Sequence, residues 1–183
     1  MYAKIQNPGV CPTDRFTILG LTTSRNSQEK IGQFGSGAKH AILTLLRAGV
    51  SFVIYSGCTK INFFTKTKVS GGHEYEQVYV SIDGEETALN VALGFGELDW
   101  KESIEMAMRE LIANAIDASL DINDVMVTIT NQEPCGYDNK TTIYVDANLD
   151  IQNYVRIWNT VFYILLMMLR ICQKLLRKRL MIK

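Results

Sequence analysis

The sequence predicts an α+β fold, a two-layer α/β sandwich whose mostly antiparallel or mixed sheet is covered by helices on one face. Three observations predict it. Short β-branched or alternating runs are punctuated by Gly71-Gly72 and Asp83-Gly84, which mark antiparallel hairpins. One long segment repeats apolar residues at three- and four-residue steps, at Ile104, Met108, Leu111, Ala115 and Ala118, as a helix does. Helices are interspersed with strands without a repeated βαβ unit, so a parallel doubly wound sheet is the second choice. With 183 residues and 47% apolar content, the chain is about one domain long and can bury a core.

Along the chain, residues 4–20 read as a short strand, a turn at Asn7-Pro8-Gly9, and a helix holding Phe16, Ile18 and Leu19, capped by Thr13 or Asp14. Thr22 to Lys30 is polar and loop-like, and Ile31 to Lys39 holds three glycines before a helix over His40 to Ala48. Strands are predicted over Phe52–Tyr55, Lys60–Thr67, Glu76–Ile82 and Thr87–Phe95. The periodic helix spans Trp100–Leu120, and two strands follow over Val125–Thr130 and Thr141–Val145.

Nineteen basic and nineteen acidic residues give zero net charge, but the charges are segregated. Asp150 is the last acid; residues 1–150 carry 12 bases and 19 acids, a net of −7, and residues 151–183 carry seven bases and no acid. The domain is therefore assigned to 1–150 and a basic, apolar helical tail to 151–183. An acidic domain does not suit a nucleic-acid backbone, so no specific nucleic-acid binding is expected. Three readings of the tail stay open: a membrane-surface or partner-binding helix, a helix docked on its own domain, or a non-native continuation such as a shifted reading frame at a truncated end.

Four cysteines without a CxxC pair, and only His40 and His73, give no cluster of zinc type. The N-terminus lacks an apolar signal region, and reduced thiols in a cytoplasmic protein are the expectation. The longest apolar run, Val161 to Leu169, is far short of the ~20 residues of a membrane span.

Two segments carry chemistry. In Gly32-Gln33-Phe34-Gly35-Ser36-Gly37-Ala38-Lys39 the glycines allow close approach to an anion, and the following helix offers unpaired amides and a positive dipole end. Lys39 adds a charge for phosphate. The loop is not a Walker A loop, since Ala38 stands where lysine is needed, nor a dinucleotide fingerprint. A glycine turn that only closes a helix against a sheet is the alternative on this segment alone. In the second segment Glu110, Asn114 and Asp117 stand at i, i+4 and i+7 and share one helix face. Glutamate can polarise a water, and the asparagine carbonyl can hold a hard cation. A solvated polar face is the alternative there.

Together these segments resemble the ATP-binding domain of the GHKL superfamily, shared by gyrase, heat-shock chaperones, histidine kinases and the mismatch-repair protein MutL. The resemblance rests on an N-box, Glu110-Leu-Ile-Ala-Asn114-Ala-Ile-Asp117-Ala118, and a glycine lid, Ile31 to Gly37. It extends to Leu19-Gly20-Leu-Thr22-Thr23-Ser24-Arg25, with Arg25 where the family has lysine, and to Asn7-Pro8-Gly9-Val10 as the D-x-G-x-G box. It covers about residues 4–145. The family places the N-box first, then the D-x-G-x-G box, then the lid; here the N-box comes last, like a circular permutation. Asn7 replaces the aspartate that accepts the adenine amino group, and an amide oxygen can accept the same bond.

The resemblance implies a Bergerat-type fold that binds ATP with Mg²⁺, hydrolyses it slowly and acts as a nucleotide-gated conformational switch; a binding or interaction module without catalysis is the alternative. Glu110 would orient or deprotonate the attacking water and Asn114 would hold Mg²⁺. Asp117 and Ala118 would line the purine side near Asn7 and Gly9. The amides of Gly35, Ser36 and Gly37, with Lys39, would hold the phosphates, and Thr22, Arg25 and Gly32 would complete the site. A protein partner would receive the switch.

Overall fold

The computed structural model describes residues 1–18, 37–95 and 103–180. Among the described residues seven strands form one sheet in the order β5-β4-β3-β2-β7-β1-β6, and every neighbouring pair is antiparallel. The strands are β1 (Tyr2–Pro8), β2 (Phe52–Ser56), β3 (Thr59–Ser70), β4 (His73–Ile82), β5 (Glu85–Ala92), β6 (Met126–Thr130) and β7 (Lys140–Asp146). The expected strands are thus all present, and the mixed-sheet alternative gives way to antiparallel pairing throughout. The hairpins turn where glycine permits it: Gly71, Gly72 and Gly84 take φ of +57°, +82° and +97°.

The period of two sorts side chains between the faces. Ala3 and Ile5 of β1 lie beside Val145 and Ile143 of β7, and Ile143 beside Ile54 of β2. All five are buried, on the face that meets α2 (Gly37–Arg47) and α3 (Ile104–Asp117). Ala41, Ile42 and Leu45 from α2, and Met108, Leu111 and Ile112 from α3, close the core over them. Each large side chain so buried contributes about 1.5–3 kcal/mol.

Helix ends differ from the sequence expectation for local reasons. The Ser103 hydroxyl accepts a hydrogen bond from the Met106 amide at 3.4 Å and starts α3 there; Trp100, the expected start, lies outside the described residues. The helix α1 (Asp14–Thr17) is one turn long; Thr13 makes no side-chain cap, and Ile18, expected inside the helix, is extended and half exposed. Leu19 lies outside the described residues. The described residues of α2, Gly37–Arg47, already include three residues before the expected His40.

The last helix, α4 (Leu149–Leu180), spans 32 residues, about 48 Å at the α-helical rise. It opens with the Asn148 side chain accepting from the Ile151 amide at 3.0 Å. Ile151 and Val155 are fully buried in the domain core, so the first turns of α4 belong to it. Ile157, Val161, Ile164 and Met168 are exposed. No helix among the described residues is long and apolar enough to cross a membrane.

The second sheet face is free of these helices. At its β1–β7 end the loop 131–139 lies over it: Tyr55 Oη donates to Pro134 O at 3.1 Å, and Tyr144 Oη to Cys135 O at 3.3 Å. Gly136 lets the loop lie flat, since a Cβ there would stand 2.5 Å from the Gly57 carbonyl oxygen. Under the loop Lys4 is buried, its ammonium 3.2 Å from Tyr137 Oη and over the Tyr137 ring at 4.3 Å. Burial pushes the Tyr144 phenol above its ordinary value.

Candidate functional site

The packing of α2 on α3 brings the end of the glycine loop to the acidic helix. Glu110 lies in the middle of α3, half-buried, with Oε2 so close to Gly37 that an added Cβ would collide with it. Gly37 is the first described residue of α2, and an anion is favoured near a helix N-terminus by the helix dipole and unpaired amides. The other carboxylate oxygen, Oε1, pairs with Arg109 Nη2 at 2.7 Å.

One turn on, Asn114 is half-buried and donates from Nδ2 to the Glu110 carbonyl at 2.6 Å. Its Oδ1, the atom a hard cation would take, accepts no hydrogen bond from the described residues. Asp117 is the last residue of α3, also half-buried, and Ala118 is the exposed cap whose amide reaches Asn114 O at 3.1 Å. The three polar residues therefore follow one another along α3, as the spacing predicts.

Asn7 is 6% exposed near the end of β1, on the face that meets α3. Its Nδ2 donates to Pro8 O at 2.8 Å, and its Oδ1 accepts nothing from the described residues. Gly9 takes φ +89° and donates to Asn139 O at 2.7 Å, which turns the chain sharply after the strand. Thr141, opposite Asn7 in the β1–β7 register, fixes that turn from the neighbouring strand. Its hydroxyl donates to Gly9 O at 2.8 Å and accepts from the Cys11 amide at 3.0 Å, and Ser56 Oγ donates to Cys11 O. Sequence reading missed Thr141, because its role comes from cross-strand register and no motif marks it.

Two residues beyond Gly37, Lys39 points about 200° further round α2; it is 5% exposed and lines a small cavity with Phe16, Ile42, Phe63 and Val78. Burial lowers its pKa, and the nearby Cys11 thiol opposes that shift. Lys39 thus lies near Cys11, in the segment that follows Gly9. Thr22, Arg25, Gly32, Gly35 and Ser36 lie outside the described residues.

A larger groove, about 410 Å³, opens between Ile18 and β4–β5 and is lined by none of the predicted site residues. Among the described residues no group of three His, Cys, Asp or Glu side chains could hold a metal ion. Asn114 with phosphate oxygens and water is a donor set that suits Mg²⁺, which keeps several waters and needs few protein ligands. No protein-family model, curated protein or solved structure matches the chain.

Proposed function

We propose that the chain is a Mg-ATP-binding domain of GHKL type, a permuted Bergerat fold, that hydrolyses ATP slowly and works as a nucleotide-gated switch. The observation that carries this reading is the meeting of Gly37 with Glu110, which joins the two motifs across the α2–α3 interface. A carboxylate at the N-terminus of α2 marks the point where a terminal phosphate would meet the α2 amides and a water held by Glu110. Asn114 would hold Mg²⁺, which supplies charge neutralisation on the phosphates when bound. Asn7, whose Oδ1 accepts no hydrogen bond from the described residues, would take the purine amino group beside the turn that Gly9 and Thr141 fix.

The strand register supports the permuted order. Tyr2 stands opposite Asp146 and the Ala147 amide donates to Met1 O at 3.0 Å, so β7, the last strand in the chain, ends beside the start of β1. A link there would run the chain from the N-box helix through β6 and β7 into the Asn7 turn, the family's usual sequence. The second reading, a nucleotide-binding module without catalysis, is favoured by the Arg109–Glu110 pair, which occupies one oxygen of the proposed base.

Glu110→Ala is expected to keep ATP affinity and lose phosphate release by about 10²–10⁴-fold, the range of general-base catalysis. Equal phosphate release by wild type and variant would remove Glu110 from the chemistry, and no release by the wild type despite ATP binding would favour the second reading.

A further inference from the structure

Charge on the β3–β4–β5 sheet segment is divided by face. In β3, Lys60, Lys66 and Lys68 have the parity of Asn62 and Phe64 and point away from the helices, while Ile61 and Phe63 point to the core. In β4 and β5, Glu74, Glu76 and Glu85 share the core-facing parity of Val78, Val80 and Leu89; Thr67 Oγ1 bonds Glu76 at 2.6 Å on that side. Glu86 is the acid that these strands add to the opposite face. The lysines stand among rings: Phe64 and Tyr79 are cross-strand neighbours stacked 5.7 Å apart at 25°. Lys66 Nζ lies 5.3 and 4.8 Å from their centroids, and Lys68 Nζ lies 5.7 Å from that of Tyr79. Tyr75, opposite Lys68, is 38% exposed and continues the strip outward.

We propose that this face of the β3–β4 hairpin, turned away from α2 and α3, binds single-stranded nucleic acid, with Phe64 and Tyr79 as the stacking platform and Lys66 and Lys68 on the phosphates. Near-parallel rings on a sheet surface, flanked by cations, are what unpaired bases and a phosphate backbone require together. A duplex hides its base faces and gains only the charge contacts. The Lys66–Glu86 pair, 2.6 Å long, is exposed at both ends and weakly held, so a phosphate can take Glu86's place. The face is separate from the Glu110–Gly37 site, and the inference stands without the nucleotide reading.

The test is an anisotropy titration of the whole chain with a fluorescein-labelled 20-nucleotide oligothymidine at low and moderate salt. Binding stronger than to a duplex of equal length is expected. Lys66→Ala with Lys68→Ala should weaken it tenfold or more and flatten the salt dependence by about 1.4 in log–log slope, ~0.7 per phosphate contact. Tyr79→Leu should weaken it by roughly 5- to 150-fold, the worth of one stacked base, with the salt slope kept. Lys66→Arg with Lys68→Arg should retain binding, and thermal melts of each variant separate lost binding from lost folding. Three results would each overturn the proposal: no binding at low salt; unchanged affinity in folded Lys→Ala and Tyr79→Leu variants, which would assign binding to the seven bases after Asp150; or equal displacement of the oligonucleotide by oligoglutamate, which would assign the face to an acidic protein segment.

Discussion

The two faces of the sheet share strands, register and turns, yet one is built to be buried and the other to meet water. On the helix-covered face Ala3, Ile5, Ile54, Ile143 and Val145 are sealed under α2 and α3, and polar groups enter at its margins: Asn7 after Ile5, and Glu110 against Gly37. The opposite face carries Lys60, Lys66 and Lys68 with Phe64 and Tyr79, and is closed at one end by the 131–139 loop. A rigid apolar layer fixes functional side chains to within the tolerance that chemistry needs; an open layer of rings and cations offers contact area instead.

The largest expected contrast is in stability. Leu111→Ala on the covered face should cost about 2–5 kcal/mol by urea denaturation, while Tyr75→Ala on the open hairpin should stay within about 0.5 kcal/mol. Comparable losses would mean that the open face is also a packed layer. Gly37→Ala sharpens the point at the site. Its Cβ meets the far end of the flexible Glu110 side chain, which can swing away, so stability should change by less than about 1 kcal/mol. Phosphate release should nevertheless fall about tenfold, because Glu110 would leave the α2 N-terminus, a loss of ~1.4 kcal/mol in barrier terms. Unchanged release would separate that contact from catalysis.

The smallest effect concerns Lys39. Burial holds its pKa below the ordinary 10.5, so above the lowered value the unfolded chain binds that proton better than the folded one. Stability contributed by this residue therefore rises with pH from the lowered pKa up to 10.5. Lys39→Met should flatten that alkaline rise relative to wild type in pH-dependent melts. An identical pH profile would show that the ammonium reaches water in the folded state.

Much of this fold was legible because period and punctuation agree locally. Strands β2 to β5 follow from alternation and from Gly71-Gly72 and Asp83-Gly84, and α3 from its apolar repeat. The i, i+4, i+7 spacing alone puts Glu110, Asn114 and Asp117 on one face of α3. What stayed hidden depends on contacts between distant segments. The seating of Glu110 on Gly37 and of Thr141 beside Asn7 is decided by helix packing and strand register, which no local pattern encodes. Lys39 is read as a phosphate contact from its place after the glycines, whereas its seat beside the cavity of Phe16, Ile42, Phe63 and Val78, about 200° round α2 from Gly37, depends on how α2 packs. Net charge is likewise blind to arrangement, since a sum of −7 over residues 1–150 does not record that Lys60, Lys66 and Lys68 share one sheet face.

The claim on which the functional account rests is that α3 and the start of α2 form one Mg-ATP site. Isothermal titration of the chain with ATP and Mg²⁺, beside Asn114→Ala, tests it most directly. The account predicts saturable binding in the micromolar range by the wild type and its loss in a variant that still folds. Equal binding by folded Asn114→Ala, or no binding by the wild type, would contradict it.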